Sequence, residues 1–108
     1  MTTYADPWVA LGDPSRRAIF ARLAERPRAV TDLAAELPIS RPAVSQHLKV
    51  LKDAALVRMH PEGTRRIYSV DADGLSALRA ELESFWGAAL ANFKDLVENS
   101  PTHSKEQP

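Results

Sequence analysis

The chain has 108 residues, of which 44% are hydrophobic and 26% charged, and its formal net charge at pH 7 is zero. This is the size and composition of one globular domain, which excludes a wholly disordered chain and leaves no room for a separate catalytic domain. The absence of cysteine excludes disulfides, thiolate metal sites and cysteine nucleophiles. The apolar runs are too short to cross a membrane and the first residues lack a signal peptide, so we expect a cytoplasmic protein without a membrane partner.

The charges are unevenly distributed along the chain. Residues 14–66 carry 11 basic and 5 acidic residues, whereas residues 1–13 and 67–108 have net charges of −2 and −4. A basic middle between acidic ends is typical of a protein that presents one surface to a polyanion. An ordinary solvated surface can produce the same pattern, so charge alone does not decide the function.

Capping residues and apolar spacing predict two helices at the start of the chain. Asp6-Pro7 begins a short first helix, because Asp is a good N-cap and Pro suits the first turn, and Gly12-Asp13-Pro14 ends it. Asp13 or Ser15 caps a second helix over about residues 16–25, where the apolar residues recur at helical spacing.

A tight pair of helices is predicted next. Ala29-Val30 is too short for more than a stub of extended chain, and Thr31 is predicted to cap a short third helix that ends before Pro38. Ser40 caps a fourth helix that runs to about Ala54. Two short helices joined by about three residues form a helix-turn-helix pattern.

The second half of the chain predicts a hairpin followed by a long helix. Residues 56–60 and 66–70 alternate apolar and polar side chains, with a turn over 61–64 between them. Asp71 or Asp73 caps a final helix over about residues 74–97. We therefore predict a mainly α fold with a small β-hairpin wing, ordered α-α-α-α-β-β-α, in a domain over 1–98 followed by a disordered polar tail over 99–108.

The fourth predicted helix has two chemically different faces. Val44, Leu48 and Leu51 share one face and are predicted to be buried. The opposite face carries side chains that can bond base edges or phosphates, and it has no acid before Asp53: Arg41, Pro42, Ser45, Gln46 and Lys49. A helix of this kind taken alone is often only a solvated surface. The preceding turn and the following hairpin favour a winged helix-turn-helix that binds DNA.

Two further positions complete the candidate DNA-binding set. His47 lies between the two faces of the fourth helix, where either a phosphate contact or a local hydrogen bond of a half-buried histidine suits it. The hairpin tip carries Thr64, Arg65 and Arg66 next to a glycine, where arginines can reach the backbone or the minor groove. A solvated hairpin edge is the alternative for the tip.

The final helix is too apolar for a domain of this size to cover alone. Its stripe carries three of the seven aromatic residues of the chain, and at about 1.5 Å per residue it spans roughly 36 Å. We expect a two-fold homodimer through the first and last helices, with these interface residues: Trp8, Leu11, Leu78, Leu82, Phe85, Trp86, Leu90 and Phe93. The alternative is that both tryptophans lie in the core of their own chain.

The sequence also resembles a known family. Residues 40–51 are similar to the recognition-helix signature of ArsR/SmtB-type winged-helix repressors, and residues 10–17, 55–57 and 63–68 match other parts of the same pattern. The resemblance covers about residues 6–97. It implies a homodimeric bacterial or archaeal transcription factor, usually a repressor and often one that acts on its own operon. It also implies that the first and last helices form the dimer interface.

One departure from the family pattern concerns metals. Metal-sensing members typically carry a Cys-x-Cys pair in the third helix or Asp, His and Glu ligands on the last helix. This chain has no cysteine and no histidine between 71 and 98. It therefore resembles the metal-independent branch, and we expect no metal or cofactor and an inducer that the sequence does not identify, such as a small molecule.

The leading hypothesis is a dimeric repressor that binds double-stranded DNA and has no catalytic residues. Five residues are predicted to face base edges: Arg41, Pro42, Ala43, Ser45 and Gln46. Six others are predicted to complete the DNA-binding set, most of them holding the backbone: Ser40, His47, Lys49, Thr64, Arg65 and Arg66. Two alternatives remain. One is a sensor of the same fold with a non-standard site, either a metal held by His60 and carboxylates or a small molecule between the long helices, and the other is a winged helix that binds only proteins. An enzyme is not expected, because no nucleophile stands with a base.

Overall fold

The computed structural model describes residues 6–99, in which five helices and three short strands follow one another. The chain divides into two units, one ending at Ser76 and the other beginning at Ala77. The elements are α1 (Pro7–Ala10), α2 (Pro14–Glu25), β1 (Arg28–Ala29), α3 (Val30–Glu36), α4 (Arg41–Asp53), β2 (Val57–Glu62), β3 (Arg65–Val70) and α5 (Ala72–Glu98). The predicted fold class is confirmed, whereas most of the predicted tail, residues 100–108, lies outside the described residues.

Side-chain caps begin α1, α2 and α4 as the sequence predicts. The carboxylate of Asp6 accepts from the backbone N–H of Trp8, and that of Asp13 from the N–H of Arg16. The hydroxyl of Ser40 accepts from the N–H of Ala43. Each of these helices also has proline in its first turn, where the missing N–H costs nothing. Of the two caps predicted for α2, Asp13 is the one used.

The prediction that Thr31 caps α3 is wrong. Extended backbone continues to Ala29, which occupies the N-cap position, and the helix begins directly at Val30. Asp32 then bonds back to the N–H of Ala29 at 3.0 Å. The carboxylate of Asp32, the third residue of the helix, therefore satisfies the backbone N–H of Ala29, and no hydroxyl cap is needed.

The stub of extended chain pairs with the hairpin. β1 lies antiparallel to β3, with Ala29 opposite Ile67, so the sheet has three strands in the order β1-β3-β2. The hairpin turn has only two residues, because Glu62 and Arg65 already pair across the strands. The predicted four-residue turn was too long, since Pro61 is tolerated in an edge strand. Gly63, with φ of +65°, supplies the positive φ that a two-residue hairpin turn needs.

The core lies between the helices and one side of this sheet. The largest fully buried side chains are Ile19, Leu33, Val44, Leu48, Leu51, Leu56 and Val57. This confirms the predicted inner face of α4. Phe20, Ala34 and Leu37 are only half-buried, and no described residue of α5 is buried.

An unpredicted ion-pair cluster joins the end of α2 to α3. Arg28 is only 3% exposed, and its Nε donates to Oε2 of Glu36 at 2.9 Å. Its Nη1 donates to the carbonyl oxygens of Arg22 and Arg26, which cap the end of α2. Glu36 also accepts from Nη1 of Arg22 at 2.9 Å. The hydrogen bond from Arg28 is the main cause that lowers the pKa of Glu36, and Glu36 in turn raises the pKa of Arg28.

This cluster predicts the acid dependence of stability. The pKa of Glu36 is lower in the folded chain than its ordinary value of 4.5, so its stabilising contribution is complete above that value. The contribution is lost as the pH falls through the lower folded value. We expect the free energy of unfolding, measured by urea titration at fixed protein concentration, to fall with decreasing pH below about 4.5.

Substitution of Glu36 by Gln isolates this effect. The variant should lose less stability on acidification, and it should be less stable at neutral pH because Arg28 keeps a buried charge with a weakened partner. Glu83→Gln is the matched control, since the partner of Glu83 within residues 6–99 is exposed Arg79, one helical turn away. If Glu36→Gln and Glu83→Gln gave the same acid dependence, the assignment to Glu36 would be wrong.

The start of α5 lies against the end of α4. Of the two predicted caps, Asp71 is the one used: its Oδ1 accepts from the N–H groups of Asp73 and Gly74, both at 3.1 Å. Ala55 has a left-handed backbone with φ of 61°. A Cβ placed on Gly74 would lie 1.6 Å from the carbonyl oxygen of Ala55. Only glycine therefore allows this close approach.

Candidate nucleic-acid interface

The helix-turn-helix is formed by α3 and α4 with residues 37–40 between them. The N–H of Leu37 closes the last turn of α3 on the carbonyl of Leu33 at 2.9 Å, and Ser40 then begins α4. Three buried side chains, Val44, Leu48 and Leu51, hold α4 on the core. The outer face of α4 is consequently fixed in direction by packing on the opposite side of the same helix.

The structure brings the predicted residues of α4 to one surface. The exposed ones are Ser40, Arg41, Pro42, Ser45, Gln46 and Lys49. Ala43 and His47 are half-buried, at the border between the outer face and the core. Lys49 donates to Asp53 at 3.0 Å across one helical turn, in an exposed pair that is weak in water. The outer face therefore offers guanidinium, amide, hydroxyl and ammonium donors to a ligand.

The arginines at the wing tip point in different directions. Alternation along β3 places Arg65 on the same sheet face as buried Ile67, and Arg66 on the other face. Arg65 donates to Asp32 of α3 at 2.8 Å. Thr64 and Arg66 are exposed. The wing therefore presents one anchored and one unanchored guanidinium.

Many basic residues of the middle segment are used within the chain. Arg16 and Arg17 donate to the carbonyl oxygens of Ala10 and Leu11, and others form the cluster around Glu36. Within residues 6–99, four exposed basic side chains form no hydrogen bond or ion pair, namely Arg41, Lys52, Arg58 and Arg66. All four lie on α4 or the wing. The attraction for a polyanion is thus concentrated on these two elements.

The apolar stripe of α5 is exposed. Phe85 is 69% and Trp86 59% exposed, and Leu82, Leu90 and Phe93 are exposed as well. Trp8 in α1 is 44% exposed, so the alternative that both tryptophans lie in the core of their own chain is wrong. Leu11 and Leu78 are half-buried. Exposed Leu96 continues the same stripe by one turn, although it was not among the predicted interface residues.

Residues 6–99 contain neither a cluster of metal-ligating side chains nor a membrane-spanning helix. Among residues 6–99, no three or more His, Asp or Glu side chains stand close enough to hold a metal ion. His60, the residue on which a metal alternative rested, is exposed on β2. No helix in the same range has the length and apolar character needed to cross a membrane.

Comparisons with known proteins agree on the type of protein. A family described as a helix-turn-helix domain matches residues 11–60. The chain is 55% identical over 102 residues to the HTH-type transcriptional regulator Rv2034 of Mycobacterium tuberculosis, covering 92% of this chain and 95% of that one.

Solved structures show the same likeness. One, described as a possible transcriptional regulator for arsenical resistance, has a TM-score of 0.69 and 38% identity over 81% of this chain and 95% of its own. Another is the homodimeric winged helix-turn-helix DNA-binding domain Mb0332 of Mycobacterium bovis, described as a possible ArsR-family transcriptional regulator. It has a TM-score of 0.62 and 29% identity, and the match covers 74% of each chain.

Proposed function

This chain belongs to the ArsR/SmtB family of winged helix-turn-helix transcriptional regulators, and from that premise we propose that it represses transcription by binding a palindromic operator as a homodimer. The observation that carries the proposal is the outer face of α4. It is exposed, rich in donors and free of acid before Asp53, and it is held in place by three buried side chains on the opposite face.

The chemistry of this face suits the major groove, which admits a single α-helix. Arg41 can donate two bonds to guanine, and Gln46 can bond both edge atoms of adenine. Ser45 and the half-buried Ala43 are small enough to let the helix approach the base edges. Ser40, His47 and Lys49 are assigned to backbone phosphates, and Thr64 and Arg66 would extend the contact to the wing.

The exposed stripe of α5 supports the dimer. An isolated helix face with Phe85, Trp86 and Phe93 in water is unfavourable, and a second copy of the same face would cover it. Two-fold symmetry then requires a palindromic site, with the two recognition helices about 34–36 Å apart. Trp8 and Leu11 remain predicted members of this interface.

We further propose that the protein works in the cytoplasm without catalysis, metal or cofactor. We also propose that it acts on its own operon, as the family pattern implies. Release from DNA would then need a signal of another kind, such as a small-molecule inducer. Equilibrium dialysis with zinc and a thermal-shift screen of small molecules test the alternative sensor with a non-standard site.

Fluorescence anisotropy tests the function directly. The purified protein is titrated onto its own upstream DNA and onto a scrambled duplex at about 150 mM salt. We expect one dimer per site at nanomolar concentration, with the scrambled duplex bound at least about 1000-fold more weakly. Equal, weak binding to both duplexes would contradict an operator at this site, and no binding to either would favour a winged helix that binds proteins.

The Gln46→Ala variant tests how sequence is recognised. It should weaken binding to the preferred operator by about 1–3 kcal/mol and remove the preference for one base pair in each half-site. Lys49→Ala is the matched control on the same face. Because Lys49 is assigned to a phosphate, its loss should weaken every duplex alike and reduce the salt slope by about one. An unchanged ranking of operator variants with Gln46→Ala would refute its role.

A further inference from the structure

One ion pair ties the wing tip to α3. Arg65 donates from Nη2 to Oδ2 of Asp32 at 2.8 Å, across 33 positions of sequence. The same carboxylate oxygen accepts the backbone N–H of Ala29 at 3.0 Å, at the junction of β1 and α3. The backbone therefore fixes Asp32, and Asp32 fixes Arg65. The N–H of Ala29 is also the main cause that lowers the pKa of Asp32, followed by the charge of Arg65, so the carboxylate is ionised at neutral pH.

The pair leaves most of the guanidinium free to bind a ligand. Asp32 contacts only Nη2, so the donors on Nε and Nη1 remain, and the Arg65 side chain is still 52% exposed. A cleft of about 250 Å³ opens beside it, lined by residues that include Thr31, Thr64 and Arg65. Hydroxyl and guanidinium groups, which these three residues carry, are donors that suit phosphate oxygens.

We infer that Asp32 is a positioning residue for DNA binding, which holds Arg65 in the orientation that meets a backbone phosphate at this cleft. The inference rests on the proposed function and deepens it. An unrestrained arginine side chain loses conformational entropy when it binds a phosphate, and this loss lowers the affinity for DNA. Asp32 orders the side chain before the DNA arrives. Apart from capping α3, a carboxylate near DNA would repel it, and holding Arg65 in place offsets that repulsion.

The Asp32→Asn variant separates positioning from simple electrostatics, because the two predict opposite changes in affinity for the operator. Asparagine keeps an oxygen that can accept the N–H of Ala29, so the start of α3 is retained, but it lacks the negative charge that holds the guanidinium of Arg65. The net charge rises by one, and electrostatics alone would tighten DNA binding. Positioning predicts about tenfold weaker binding to the operator. It also predicts that the dependence of log K on log salt becomes shallower by up to about one, as one phosphate contact is lost.

Two further variants complete the test. Glu62→Gln removes another carboxylate of the wing, one with no ion pair among residues 6–99, and should bind slightly tighter than the parent protein. In an Arg65→Gln background, Asp32→Asn should cause no further loss of affinity and should at most tighten binding slightly, as Glu62→Gln does, because Asp32 acts through Arg65. Circular dichroism and urea unfolding check that each variant is folded. If Asp32→Asn did not fold, Arg65→Lys would replace it, with several-fold weaker binding expected from a residue that keeps the charge but loses the planar group.

The outcomes are distinct. Equal or tighter operator binding by Asp32→Asn overturns the inference, and so does a loss that persists in the Arg65→Gln background. Operator binding by Arg65→Lys as tight as that of the parent overturns it as well. If the parent protein itself fails to bind duplex DNA, the proposed function fails, and this inference fails with it.

Discussion

Replacing Phe85 with aspartate is expected to convert the protein to a monomer and to weaken operator binding by at least about 100-fold. Phe85 is the most exposed of the large apolar side chains in residues 6–99. In the proposed dimer a charge at this position would be buried without a partner, which costs several kcal/mol per subunit. The α4 and wing residues are untouched, so each monomer should retain only weak binding to one half-site.

Ala91→Asp is the matched control for this prediction. At about 100° per residue, position 91 lies on the opposite side of α5 from the centre of the apolar stripe. The control variant should remain dimeric and bind the operator as the parent does. Analytical ultracentrifugation measures the molar mass of each variant in solution, and fluorescence anisotropy measures its affinity for the operator. If Phe85→Asp stayed dimeric, the stripe would not be the interface, and if its monomer bound as tightly as the dimer, the two-fold operator would be wrong.

Gly74→Ala is expected to lower the free energy of unfolding by about 3 kcal/mol or more. The added Cβ would lie 1.6 Å from the carbonyl oxygen of Ala55, and this contact is with backbone, which cannot rotate away. Either the start of α5 or the left-handed residue after α4 would have to move. Urea unfolding at fixed protein concentration measures the loss.

Gly87→Ala provides the control within the same helix. A Cβ at Gly87 would meet nothing within 4 Å, so only the helix propensity changes. Alanine should stabilise the protein by about 0.5–1 kcal/mol. Comparable destabilisation by both variants would show that the close approach at Gly74 is not the cause.

Local features of the sequence predicted most of the fold. Asp6, Asp13 and Ser40 are caps that act within three residues, and the 3.6-residue period of Val44, Leu48 and Leu51 determines which side of α4 is buried. The outer face follows from the same period. For that reason the exposed candidate residues of α4 could be predicted, although their contacts with DNA remain predictions.

Contacts between distant residues could not be predicted in the same way. β1 has two residues and exists only because Ala29 meets Ile67, 38 positions later. Arg28 looks like a solvated residue after a proline, yet it is buried because Glu36 and the end of α2 surround it. The bond between Asp32 and Arg65 has no local signal either. Each depends on how the chain folds back on itself, which single-residue preferences do not encode.

The pairing of β1 with β3 has a mechanical consequence. β1 passes directly into α3 without an intervening residue, and its partner strand is one arm of the wing. The wing and the helix-turn-helix of one subunit are therefore coupled through β1 and resist displacement relative to each other. In the proposed dimer, a signal that releases DNA would act by changing the distance between the DNA-binding units of the two subunits, and each unit would move as a rigid body.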